Sequence, residues 1–433
     1  MDSAAQPALA SPSLRDLFFT SLRIGCLGFG GPAGQIALMH RVLVVEKRWI
    51  DEPRYLHALS FCTLLPGPEA QQLATYVGWS LRGVLGGLVT GLMFILPGAA
   101  VILGLSWLYA SHGEAPLVAS ALTGVKAAVL ALVVEALVRV GKRALKGRAD
   151  LLIAFGAFVA LALFGAPFPI VILAAGGLGL MRGSDGPEPD ALPDTARLRW
   201  RDLLSTVTTW TVIWLAPLAL SAAVLGRGHW LTQLGGVFAT LATTSFGGAY
   251  ALLAWLQQQA VETHGWLEAR QMVDGLGLAE TTPGPLVLVN QFVGFMAGWG
   301  QGGGAVWALA GAGMALWQTF APSFLFIFAG APYSERLRGN RAARGILGAV
   351  MAAVLGVIAS LALWFAIHVL FARVETLVTP WGSRLALPDL ATFDPLTASL
   401  AVAAGLALMR FKVNVVLVIA GCAALGLLRG LLV

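Results

Sequence analysis

Two tripeptides, Pro66-Gly67-Pro68 and Pro283-Gly284-Pro285, interrupt otherwise apolar sequence beside residues able to hold an anion. Proline removes a backbone N–H, clashes with the preceding turn and pushes the residue before it out of the α region. It nevertheless suits the first position of a new helix. Each tripeptide therefore reads as one half-helix ending and another beginning, at Pro68 and again at Pro285. The first N–H groups of the new half-helix have no intrahelical acceptor, and the positive end of its dipole points the same way. Such an end suits an anion, above all an oxyanion with several acceptor oxygens.

A second kind of break precedes each tripeptide. Gly28-Phe29-Gly30-Gly31-Pro32 returns as Ser245-Phe246-Gly247-Gly248, with Ala249 in place of the proline. Paired glycines permit unusual backbone angles and close approach of a ligand, although small residues also serve ordinary helix packing in membranes. Polar side chains gather around the tripeptides: Glu69, Gln71 and Gln72 after the first, Thr281 and Thr282 before the second, Asn290 and Gln291 after it. Their amides and hydroxyls suit an oxyanion, and interhelical hydrogen bonding is their alternative role. Arg23 is the first candidate for a fixed counter-charge, with snorkelling to the interface as the alternative. An ionised Glu69 would repel an anion, so its protonation could couple proton and substrate binding; Glu280 is the second candidate proton site. Lys126 and Glu135, nine apart, face different directions on one span and are expected to pair with other helices.

These landmarks recur at a constant offset of 217: Phe29 to Phe246, Trp49 to Trp266, Pro66 to Pro283. The second half of the chain thus repeats the first. Hydrophobic residues make up 58% of the 433 and charged residues 12%, against roughly a quarter charged in a soluble domain. The mean hydropathy is +0.79. Runs at 83–110, 115–138, 203–225, 305–331 and 345–371 each exceed the ~20 residues that span a bilayer core. A polytopic helical protein in contact with membrane lipid follows. Its net charge of +6 sits in short loops, the positive-inside pattern rather than a nucleic-acid footprint. Cys26, Cys62 and Cys422 lie far apart in apolar segments and read as packing residues, not a metal cluster. Gly298, Gly300 and Gly303 match a dinucleotide pattern, but no strand precedes them. No catalytic pair or cofactor site is evident, and an enzyme is not expected.

The positive charges also report orientation. Arg139, Lys142, Arg143, Lys146 and Arg148 mark one cytoplasmic loop, while 111–116 and 164–169 carry no Lys or Arg. Equivalent loops differ in sign of bias. The segment 40–54 holds Arg41, Lys47, Arg48 and Arg54, whereas 257–271 holds only Arg270; 111–116 is free of Lys and Arg, whereas 332–344 holds four arginines. Inverted repeats predict this, and parallel repeats do not. The expected fold is all-α and polytopic: two inverted-topology repeats of about six hydrophobic segments each, with broken or re-entrant helices. Residues 1–182 form the first repeat, 183–202 a linker, 203–228 an extra transmembrane helix and 229–433 the second repeat. Segments 13–39 and 56–81 could each cross fully or re-enter; re-entrant hairpins keep every basic group inside and are favoured. Duplicated breaks at matching positions mark the binding site of a secondary transporter.

At these residues the chain resembles the chromate ion transporter family in its long, two-repeat form. The resemblance rests on Gly28–Pro32, Leu65–Gln72, Ser245–Gly248 and Leu278–Pro285, with Phe94-Ile95-Leu96-Pro97 and its partner Phe320-Ala321-Pro322. It implies efflux of chromate across a bacterial inner membrane, chromate resistance, and sulfate as a similar competing oxyanion. Uptake or exchange of sulfate on the same scaffold is the alternative reading. Many members carry a histidine shortly after the first glycine break; here that stretch reads Ala33-Gly34-Gln35. The driving ion, the direction of transport and assembly into a homo-oligomer stay open.

Overall fold

The computed structural model describes residues 12–182, 199–246, 248–334, 341–380 and 382–432. Gly247, nearly all of the linker and the arginines at 336 and 338 lie outside the described residues. The first half contains α1 (Leu14–Leu27), α2 (Gly31–His40), α3 (Glu52–Cys62), α4 (Glu69–His112), α5 (Pro116–Ala144), α6 (Arg148–Ala162) and α7 (Phe168–Arg182). A connecting helix, α8 (Trp200–Val224), follows. The second half contains α9 (Trp230–Thr244), α10 (Ala249–Gln257), α11 (Ala269–Thr281), α12 (Val289–Gly300), α13 (Gly304–Gly330), α14 (Arg341–Leu370), α15 (Pro395–Met409) and α16 (Val415–Leu432). Both α2 and α10 run on into a π-helical turn, at Arg41–Glu46 and Gln258–Thr263.

The long α4 is a hairpin. Arg82 and Gly83 leave helical geometry, Gly83 with φ of 61°. The arm 69–81 then folds back on the arm 84–112, and the Thr90 hydroxyl donates to the Ala74 carbonyl at 2.8 Å. Gly78 and Gly86 meet at the crossing, where a Cβ on either would collide with the other strand of the hairpin. Small residues permit that approach. The α12–α13 pair repeats the arrangement, with Gly294 against Gly311.

Crossing and re-entry are distinguished by geometry. Along a straight broken helix, Phe61 and Tyr76 would stand about 22 Å apart at 1.5 Å per residue. Their rings lie 5.8 Å apart, and His57 and Tyr76 both reach the Ser334 hydroxyl, at 3.0 and 3.4 Å. Helix α3 and the first arm of α4 therefore form a re-entrant hairpin with Pro66-Gly67-Pro68 at its tip. Leu17 of α1 and Met39 and Leu43 beyond the first glycine break line one small gap, so α1 and α2 fold back likewise. In the second half Gly275 of α11 faces the Phe292 ring of α12, the same hairpin repeated.

The long helices interleave the halves. Helix α5 packs on α15 and α16, whereas α14 packs on α6 and α7, and α5 and α14 meet each other. Glycines make these contacts close: Gly124 lies on the Cys422 carbonyl and Gly356 on the Ala154 carbonyl. Helix α8 flanks α13 and α9. Pro217 inside it frees the carbonyl one turn back, and the Trp317 indole N–H takes that carbonyl of Ile213 at 3.2 Å. Leucines and valines on α6, α7, α8 and α16 face outward, as lipid contact requires. One element departs from the all-helical expectation. Val374–Val378 and Arg384–Pro388 pair as an antiparallel β-hairpin (β1, β2). Ser383 and Arg384 tie it to the Leu163 and Glu262 carbonyls.

Replacing Gly124 by valine would drive a side chain into the Cys422 backbone, and such overpacking costs about 1–3 kcal/mol. The purified Gly124→Val protein should melt at a clearly lower temperature in detergent, whereas Gly104→Ala, where a Cβ meets open space, should not. Equal melting temperatures for both variants would contradict the interleaved packing.

Candidate functional site

The four breaks meet one another. The Gly67 N–H donates to the Ser245 carbonyl at 2.9 Å, and the Gly284 N–H donates to the Gly28 carbonyl at 3.0 Å. These two bonds are the same bond in mirrored copies, because Gly28 and Gly67 lie 217 residues before Ser245 and Gly284. Each Pro-Gly-Pro elbow is thus tied to the glycine elbow of the opposite half. The central glycines carry φ of 113° at Gly67 and 93° at Gly284, a region that side chains rarely adopt. The same close approach explains Gly98, which follows Pro97 and lies against the Pro283 carbonyl. Its counterpart after Pro322 is Ser323, near Gly67.

Side chains complete the junction. Buried Gln35 donates through Nε2 to the Gly28 carbonyl at 3.1 Å and to the Gly284 carbonyl at 2.5 Å, clasping breaks from both halves. Gln72 donates to the Pro66 carbonyl at 2.6 Å. Gln71 donates to Thr75, Asn290 to Thr319 and Gln291 to the Ala99 carbonyl. The Thr281 and Thr282 hydroxyls turn back onto carbonyls of their own helix. Several buried acceptors here have no protein partner: the side-chain oxygens of Gln35, Gln71, Gln72, Asn290 and Gln291, and the hydroxyls of Ser245 and Ser323. Native interiors leave few such atoms, so the junction keeps a hydrogen-bonding reserve. Half a turn of a terminal amide would present its NH2 group there.

Glu69 opens the first arm of α4 directly after Pro68, and no side chain caps that end. Glu280 is buried and receives the Tyr250 hydroxyl at 2.6 Å. Two arginines of α5 lie within electrostatic range of these carboxylates, Arg143 of Glu69 and Arg139 of Glu280. Arg139 also pairs with Glu135 at 3.7 Å. Charge counting assigns both arginines to a loop, yet they sit inside Pro116–Ala144. Arg23 lies elsewhere, with an exposed side chain 3.6 Å from Glu46 on the flank of the first hairpin. Gln35 has no polar counterpart in the second half, where Leu252 occupies its position, and repeat comparison therefore passes over it.

Access to the four breaks is uneven. Phe29 and Gly30 are exposed, Gly31, Phe246, Gly248, Pro66, Gly67 and Glu69 are partly so, and a Cβ on Gly30 or Gly31 would meet open space. Thr282, Pro283, Gly284, Pro285, Asn290 and Gln291 are buried. No group of His, Cys, Asp or Glu among the described residues is arranged to hold a metal.

Two inverted, interleaved halves with four helix breaks at one polar junction define a polytopic membrane transport protein, not an enzyme. The chain belongs to the chromate transporter family, whose pattern matches residues 15–180 and 232–427. It is 35% identical to the chromate transport protein of Pseudomonas aeruginosa over 82% of this chain and 81% of that one. It is 28% identical to the chromate transport protein of Cupriavidus metallidurans, covering 96% and 93% of the two chains. A probable chromate transport protein of Synechococcus elongatus is 30% identical over 80% of this chain and 83% of its own length. No solved structure matches the chain.

Gln35→Leu removes the donor shared by Gly28 and Gly284 and leaves the Gly284 carbonyl buried without it. Stability should fall by about 1–3 kcal/mol, read as a lower melting temperature in detergent, and transport should fall with it. A Gln35→Leu protein matching wild type in both would remove this side chain from the junction.

Proposed function

We propose that this protein exports chromate across a bacterial inner membrane by alternating access, driven by the proton gradient or the membrane potential, and so confers chromate resistance. The observation that carries the reading is the set of four breaks tied by reciprocal bonds, with Pro283-Gly284-Pro285 buried and the other three at least partly exposed. A non-helical backbone at membrane depth is tolerated where it lines a cavity or is buried in protein.

The anion site in this reading is the start of the first arm of α4, with the backbone of Gly30 and Gly31 and the amide of Gln71. Ser245, Phe246, Thr282, Asn290 and Gln291 join it when the second-half breaks open. In this reading fixed positive charge comes from Arg143 and Arg139, which lie on α5 within electrostatic range of Glu69 and Glu280, rather than from Arg23 at the flank. Glu69 and Glu280 carry the coupling protons. Chromate and sulfate are tetrahedral dianions presenting similar oxygens, so sulfate is the informative competitor.

Energised everted vesicles containing the protein should accumulate radiolabelled chromate above vesicles without it, and excess sulfate should reduce that uptake. Accumulation equal to the empty control, on energisation by either gradient, would reject chromate export.

Charge placement is tested separately. Arg143→Gln should lower chromate transport at least tenfold with normal membrane insertion, while Arg23→Gln should stay within about threefold of wild type, a split of roughly 1 kcal/mol or more at the barrier. Loss in Arg23→Gln alone would return the counter-charge to the first hairpin. Glu69→Gln should make transport insensitive to an imposed pH gradient, and an unchanged pH response would take the proton from Glu69.

A further inference from the structure

Away from the junction, a second charged cluster joins the halves. Lys126 of α5 places Nζ 3.3 Å from Asp274 Oδ1 of α11, and the Tyr109 hydroxyl at the end of α4 donates to Asp274 Oδ2 at 2.9 Å. Asp274 is fully buried and the Lys126 side chain is 13% exposed. Arg270 approaches the same carboxylate at 3.9 Å from an exposed position, and Glu268 lies close enough to act on Tyr109. Beside the pair, Gly277 of α11 rests against Val125 of α5. By the positive-inside rule the basic end of α5 is its cytoplasmic end, and Lys126 lies toward the opposite end.

The mirrored position holds different residues. Asp274 corresponds to His57 at the offset of 217, and Tyr109 corresponds to Ser334 at the offset of 225 that relates Pro97 to Pro322. There the Ser334 hydroxyl meets the partly exposed His57 at 3.0 Å and Tyr76 at 3.4 Å. So each re-entrant hairpin is pinned to the other half at an equivalent place. The hairpin that carries Asp274 is the one whose Pro-Gly-Pro break is buried; the hairpin that carries His57 has the accessible one.

We propose that Lys126, Asp274 and Tyr109 form an ionic lock that seals the outer route, and that its opening is an obligatory step of each transport cycle. This rests on the alternating-access reading above. Opening the junction outward requires α11 to leave α5, because α11 ends at the buried Pro283-Gly284-Pro285 elbow. The lock holds that seam. An ion pair suits the task, because removing one partner strands a buried charge while separating both into water does not.

The seam can be fixed without touching the charges. A Cβ on Gly277 would lie 3.7 Å from the Val125 Cβ, within the range of a disulfide. In a background with Cys26, Cys62 and Cys422 replaced, the Val125→Cys/Gly277→Cys protein should transport chromate when reduced. When oxidised, with thiol titration verifying the bond, it should lose at least tenfold, and reductant should restore it. Oxidised protein transporting within twofold of reduced protein overturns the lock.

A second readout does not depend on chromate. In the Lys126→Met/Asp274→Leu pair, whose apolar seam is harder to part, a cysteine introduced as Asn290→Cys should react at least fivefold more slowly with a membrane-impermeant thiol reagent added outside. An unchanged rate overturns the lock even where transport is lost. If neither wild type nor the reduced pair moves chromate, the export reading fails, while this labelling result still decides the lock.

Discussion

Backbone hydrogen bonding in the absence of water is the constraint on which this architecture depends. Four helices end inside the membrane, and every end leaves donors or acceptors that hydrocarbon cannot satisfy. The chain solves this by turning the ends toward one another. Gly67 bonds to Ser245 and Gly284 bonds to Gly28, so each elbow supplies what the opposite elbow lacks. This exchange requires two halves in mirrored orientation, and it requires glycine at its centre, because both donors sit at positive φ. It also requires that whatever passes α4 and α13 near the elbows be small, which Gly98 and Ser323 are. A single copy of the repeat would leave its elbows without partners.

The breaks were legible because proline and glycine act through local sterics, and duplication at a fixed offset separates a conserved geometry from accident within one sequence. The fold-back within 13–39 and 56–81 was legible from loop charge, because hairpins keep every basic group on one side. What escaped was set by distant partners. Arg139 and Arg143 count as loop residues when charges are tallied, and only the packing of α5 brings them within electrostatic range of Glu69 and Glu280. Gln35 has no polar repeat partner. Lys126 was expected to seek another helix, but nothing local names Asp274. The β-hairpin at 374–388 lies in an insertion without a first-half counterpart, so the repeat gave no guidance. Neither π-helical turn leaves a sequence signature, although the two occur at equivalent places.

Departures from the repeat are where chemistry and direction enter. Two identical halves would give inward and outward states of equal energy, and any bias between them has to come from differential contacts. The first half places Glu69 after its elbow, where the second has Leu286, and the second places Glu280 before its elbow, where the first has Thr63. Gln72 braces the first Pro-Gly-Pro break and Gln35 bridges breaks of both halves, where the second half has Val289 and Leu252. The first half therefore supplies polar bracing that its repeat lacks.

The same logic explains why charge is tolerated at Lys126 and Asp274. A buried ion pair is a poor means of adding stability, since desolvation consumes most of the attraction. An apolar pair at this seam would hold α11 against α5 as firmly and would be harder to part. Two opposite charges instead have a comparably stable alternative once separated and hydrated, so the seam has two arrangements rather than one. Tyr109 keeps the carboxylate oriented in the closed one. With His57 and Ser334 at the mirrored place, the two seams are held by different chemistry, and the buried ion pair belongs to the hairpin whose Pro-Gly-Pro break is sealed.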